Sequence, residues 1–187
     1  MKKFLILIVL LGSGLGMRAQ QVDNFTPGEL LVSPAIGLGT PYLGGLGYST
    51  VLPPISVSVD YGIEQDVVDE GTVSIGGYFG IAQNRFRTNY FGGEYGWNYT
   101  YIVLGPRGVY TYPIEENLDI YGGLMLGFNI ATAREVGDVP GNVSSSGGGF
   151  AYDFFAGGRY FFQDNLAAML ELGYGVSILR LGVSIKI

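Results

Sequence analysis

The chain has 187 residues, 48% of them hydrophobic and only 14% charged, with 32 glycines and a formal net charge of −6. The absence of cysteine and histidine excludes disulfides, thiolate metal sites, a cysteine nucleophile and a lipidated N-terminal cysteine, and removes the usual general base and the commonest metal ligand. The length suits one domain, the apolar share argues against disorder, and the charged share falls well under the roughly one quarter of a soluble domain.

Lys2 and Lys3 open the chain, followed by an apolar run from Phe4 to Leu11 and a glycine-rich stretch ending in Met17-Arg18-Ala19. This order predicts a secretory signal peptide over residues 1–19, cleaved after Ala19. The apolar run is shorter than the roughly 20 residues of a membrane-spanning helix. Gly14-Leu15-Gly16-Met17-Arg18-Ala19 matches a dinucleotide fingerprint, but it lies in this leader without a strand–helix context. Residues 20–187 then carry 16 acids against 7 bases, a net charge of −9. That balance disfavours nucleic acid as a partner.

From there the apolar residues alternate. Ile55, Val57, Val59 and Tyr61 oppose Ser56, Ser58, Asp60 and Gly62; Val73, Ile75, Gly77, Phe79 and Ile81 oppose Thr72, Ser74, Gly76, Tyr78 and Gly80. At the C-terminus, Leu179, Leu181, Val183, Ile185 and Ile187 oppose Arg180, Gly182, Ser184 and Lys186. A period of two is the signature of a strand. Eight strands are expected, over about 29–39, 54–63, 71–83, 97–112, 118–131, 149–162, 166–175 and 178–187. Most have the 9–11 residues of a tilted transmembrane strand.

Long connections over 40–53, 84–96 and 132–148 alternate with short ones over 64–70, 113–117 and 163–165, as in bacterial outer-membrane barrels. The last connection, at Val176-Ser177, breaks the pattern as a tight hairpin. One strand face is Leu, Val, Ile and aromatic; the other mixes small residues with Glu29, Asp60, Arg107, Asp119, Asp153, Arg159, Glu171, Arg180 and Lys186. An eight-stranded barrel has an interior just wide enough for side chains, so the charged face is expected inside and the apolar face toward lipid. Tyr61, Tyr110, Tyr112, Tyr160 and Phe162 fall near the short turns, and Phe128, Phe150, Tyr152 and Tyr174 near the opposite ends. These two bands suit interfacial girdles. Pro34 and Pro106 lack the N–H that a ladder uses, so each predicts a bulge or a shifted strand limit.

These features together resemble the small bacterial outer-membrane β-barrels of the OmpA-transmembrane, OmpX-like and PorT-like kind. The resemblance rests on the leader, the eight amphipathic strands and the terminal Leu181-Gly182-Val183-Ser184-Ile185-Lys186-Ile187. It implies an all-β, eight-stranded antiparallel up-and-down transmembrane barrel, set in outer-membrane lipid. It also implies delivery to the outer-membrane assembly machinery through the C-terminal strand, which in this family usually ends in an aromatic residue rather than Ile187.

Two groups of residues are candidate sites. The lumenal charges Glu171, Arg159, Arg180, Arg107 and Asp153 are one. Hairpin register places Arg159 opposite Met169 and Arg180 opposite Gly173, both diagonal to Glu171, so Glu171 is expected clamped between Arg159 and Arg180. The other is a candidate loop interaction surface, Tyr42, Tyr48, Arg85, Phe86, Arg87, Tyr90, Phe91 and Trp97, open to a surface protein partner. Its simpler reading is that the strands extend above the membrane and the aromatics pair across a hairpin. Glu115-Glu116 and Asp69-Glu70 read as solvated turn acids, since they lack the alternating ligands of a calcium loop. No metal, cofactor or catalytic residue is expected. The leading function is a structural or surface-interaction barrel without catalysis; the alternatives are a lipid- or peptide-modifying enzyme, a narrow diffusion pore and a soluble carrier.

Overall fold

The computed structural model describes residues 24–41, 48–65, 67, 70–90, 93–137 and 144–187. The expected signal peptide, Tyr42 and Phe91 lie outside the described residues. Eight antiparallel strands form a closed barrel in sequence order, with β1 pairing β8. They are β1 Leu30–Leu38, β2 Tyr48–Gln65, β3 Thr72–Tyr90, β4 Gly93–Glu115, β5 Leu118–Gly137, β6 Ser144–Gln163, β7 Leu166–Gly173 and β8 Leu179–Lys186.

The wall is uneven in height. β1, β7 and β8 have 9, 8 and 8 residues, whereas β2 to β6 have 18, 19, 23, 20 and 20. Of the expected loops, residues 48–53, 84–90, 93–96, 132–137 and 144–148 are strand instead. Apolar alternation stops above the exposed apolar belt, but the backbone ladder continues, from Arg85↔Asn98 to Tyr90↔Gly93 between β3 and β4.

Proline also behaves differently from expectation. Neither Pro34 nor Pro106 sits at a bulge. Pro34 keeps register with Val57 on β2, and the β1–β8 ladder resumes in the same register after it. Pro106 pairs with Gly77, and its interrupted side faces β5. Each proline loses one ladder bond on one side only, which costs no register. Two of the three register shifts between β2 and β3 instead fall between Thr50 and Ile55, around Pro53 and Pro54, where two missing N–H groups in a row favour a bulge; the third lies between Gly62 and Glu64.

The apolar face points outward. Phe128, Phe150 and Phe154 are each about two-thirds exposed, and Ile75, Ile120, Leu126 and Leu172 are also exposed. Tyr61, Tyr112, Tyr160 and Phe162 are exposed near the short turns, Tyr152 and Tyr174 near the opposite end, and Tyr110 is half-buried. The interior holds the charges and serines with Tyr78, Tyr121, Phe155, Met125 and Met169.

Both ends of this interior are filled. At the short-turn end, residues 24–29 fold across the mouth. Phe25 is buried with Leu31, Phe161 and Ala167; its amide donates to Asp119 Oδ2 at 3.4 Å, and its carbonyl accepts from Thr72 Oγ1 at 3.2 Å. At the other end the β7–β8 turn bends inward. Val176 and Ser177 are fully buried, and a Cβ on Gly80 of β3 would lie 2.7 Å from Val176 Cγ1. Glycine at position 80 is thus what lets the turn enter the barrel.

Candidate functional site

Six buried side chains form one chain of alternating charge across the lumen. Strand alternation brings Asp60 of β2, Arg107 of β4, Asp153 and Arg159 of β6, Glu171 of β7 and Arg180 of β8 to the inner face. Arg159 Nη2 lies 3.4 Å from Asp60 Oδ2, and Asp60 Oδ1 lies 3.0 Å from Arg107 Nε. Arg107 Nη2 reaches Glu171 Oε2 at 3.2 Å, and Glu171 Oε1 meets Arg180 Nε at 2.9 Å. Arg180 Nη2 ends the chain on Asp153 Oδ2 at 2.7 Å, while the Tyr174 amide donates to Asp153 Oδ1. All six are at most 2% exposed.

Within this chain three acids balance three arginines, and buried Asp119 stands outside it, directly opposite Arg159. An unpaired member would be costly, because burying a charge strips its water without replacement. The guanidinium faces are covered as well. Arg107 lies 4.0 Å from the Phe155 ring centroid and Arg159 3.8 Å from that of Tyr121, distances at which the ring quadrupole attracts a cation. The arrangement neutralises charge and fills space. Among the described residues no group of three or more His, Cys, Asp or Glu could hold a metal ion.

The expected clamp on Glu171 is half changed. Arg180 does contact it, but from directly opposite (Glu171↔Arg180), not from a diagonal position. The turn between β7 and β8 includes more residues than a tight two-residue hairpin, and this moves the register by two. Arg159 faces Met169 as expected, yet its guanidinium turns to Asp60, and Arg107 takes its place on Glu171. Asp60 is the member that hairpin register did not bring to the cluster. Its polar-face position was readable, but its partners lie across the lumen on β4 and β6, beyond any adjacent-strand rule.

The candidate loop residues divide between the two faces of the raised wall. Tyr48, Phe86 and Trp97 share one row of the inner side (Tyr48↔Phe86, Phe86↔Trp97). The Tyr48 ring is 5.2 Å from Phe86 and 6.1 Å from Tyr99. Burial pushes the Tyr99 hydroxyl above its ordinary range, and neighbouring Tyr48 adds to it. Arg85 and Arg87 lie on the outer side; Arg85 Nε donates to Asn98 Oδ1 at 2.7 Å. Tyr90 ends β3 opposite Gly93.

Neither a protein family nor a curated protein sequence matches the chain. Solved structures do. The attachment invasion locus protein Ail of Yersinia pestis, crystallised with the heparin analogue sucrose octasulfate, superposes with a TM-score of 0.58 at 15% identity, covering 87% of this chain and 100% of Ail. The N-terminal β-barrel domain of Pseudomonas aeruginosa OprF gives 0.44 at 12% identity, covering 87% and 100%. Neisserial surface protein A gives 0.45 at 12%, covering 85% and 95%. The chain has the fold of the small eight-stranded outer-membrane barrels, as the likeness to Ail shows.

Proposed function

We propose that the chain is an integral protein of a bacterial outer membrane with a structural and surface-interaction role and no catalytic chemistry. On this reading residues 1–19 are an export signal, and residues 20–187 form the barrel. The C-terminal strand, residues 181–187, is what the outer-membrane assembly machinery engages.

One observation carries the reading: a continuous belt of exposed Ile, Leu, Val, Phe and Tyr surrounds an interior of paired charges. In water that belt would be a patch far larger than monomeric soluble proteins expose. In lipid it is the expected surface. A soluble carrier needs the reverse arrangement. A diffusion pore needs an open lumen, and this one is crossed by the ion chain and covered at both ends. The raised wall of β2 to β6 is the part that extends beyond the girdle toward a surface partner.

The test is fractionation combined with gel mobility. The protein should sediment with outer membranes, resist carbonate extraction, and run differently on detergent gels before and after boiling. Recovery in the soluble periplasmic fraction without detergent would overturn the reading.

A further inference from the structure

The seven basic residues of positions 20–187 fall into three places. Arg107, Arg159 and Arg180 are buried in the lumenal chain, and Lys186 contacts Glu29 at the short-turn rim (Nζ–Oε1 3.2 Å). The other three, Arg85, Arg87 and Arg134, all stand on the outer side of the raised wall. Strand parity puts Arg85 and Arg87 on the face of Ile75 and Phe79, and Arg134 on the face of Phe128 and Ile130. Register then places Arg85, Asn98, Arg134 and Ser144 in one row across β3, β4, β5 and β6. Gln83, Thr100, Thr132 and Ser146 form the row beneath. Among the described residues, no acid shares either row.

Height decides what this row meets. Ile130 is the last exposed apolar residue of β5, and Arg134 follows four residues later. At about 3.3 Å per residue along a tilted strand, the arginines stand roughly 10 Å above the acyl layer. They face sideways, into the headgroup layer. Arg85 and Arg134 are separated by two strand spacings, about 10 Å, and Asn98 holds the Arg85 guanidinium from the side. In a chain with so many acids, an acid-free row with paired forks and flanking hydroxyls is complementary to phosphate.

We propose that Arg85 and Arg134, with Asn98 between them, bind the phosphate groups of an anionic glycolipid in the outer leaflet. This rests on the membrane location proposed above and adds a specific lipid class and site to it.

The test uses the folded barrel in dodecyl maltoside micelles, titrated with bisphosphorylated lipid A, with the same glycolipid after removal of its phosphates, and with inorganic phosphate, read by native mass spectrometry. The wild type should prefer the bisphosphorylated form by at least about tenfold, the order expected of one charge-assisted contact. R85Q/R134Q should lose that preference. R85K/R134K should keep part of it, and K186Q, at the opposite rim, all of it. Inorganic phosphate should not displace the glycolipid. The proposal is overturned if the wild type does not distinguish the two glycolipids, if R85Q/R134Q distinguishes them as well as the wild type, or if inorganic phosphate competes. Unboiled gel mobility of each variant reports separately on the folded barrel, so a failure of the membrane reading is not confused with a failure of this site.

Discussion

Glu171 and Arg180 face each other across the β7–β8 hairpin, with Arg180 Nε and Glu171 Oε1 2.9 Å apart in an ion pair. Glu171 also holds Arg107 through its second oxygen, so this one carboxylate joins both halves of the lumenal chain. Glu171→Gln should leave two buried guanidinium groups short of charge. The expected loss is about 3 kcal/mol, measured as a lower urea midpoint with unchanged slope in micelles.

Gly173 and Gly77 make a matched pair of substitutions. A Cβ on Gly173 would collide with the Arg180 guanidinium and reach within 2.6 Å of Asp153 Oδ1, whereas a Cβ on Gly77 meets nothing within 4 Å. Gly173→Ala should cost about 1–3 kcal/mol, by displacing Arg180 from Asp153. Gly77→Ala should change stability by less than about 0.5 kcal/mol. Equal unfolding midpoints for the two variants would contradict the packing described.

Phe25 closes the short-turn mouth from within a cluster of Leu31, Phe161 and Ala167. Phe25→Ala should destabilise by about 3 kcal/mol. It should still produce no conductance in planar bilayers, because the ion chain crosses the lumen above it. Steady channel currents from this variant would show that the lumenal chain does not block the barrel.

Leu126 lies on the outward face between Ile120 and Ile130 and is 46% exposed. Leu126→Arg should cost about 2–4 kcal/mol in lipid, measured by reversible unfolding from vesicles. In a water-soluble barrel the same exposed substitution would be close to neutral.

Strand number, strand order and the direction of each face were readable because period-two alternation is a property of single strands. Leu179, Leu181, Val183 and Ile185 declare their face without reference to any other part of the chain. Strand ends were harder. Beyond the exposed apolar belt both faces of β3 and β4 are polar or aromatic in sequence, so the pattern fades between Gln83 and Thr100 although the ladder continues. Lumenal partners were hardest of all. Hairpin register relates only adjacent strands, while Asp60 binds Arg107 two strands away and Arg159 four strands away. Barrel closure and side-chain length select those contacts, and neither is written locally in the sequence.

The most direct measurement uses the absence of cysteine in the chain. Single cysteines placed in turn from position 120 to 130 of β5, spin-labelled and reconstituted in lipid vesicles, report contact with oxygen dissolved in the acyl layer. With the apolar face toward lipid, oxygen accessibility should be high at positions 120, 124, 126, 128 and 130, and low at 121, 123, 125, 127 and 129. Accessibility without a period of two, or with the even positions reached by a water-soluble quencher instead, would contradict that orientation.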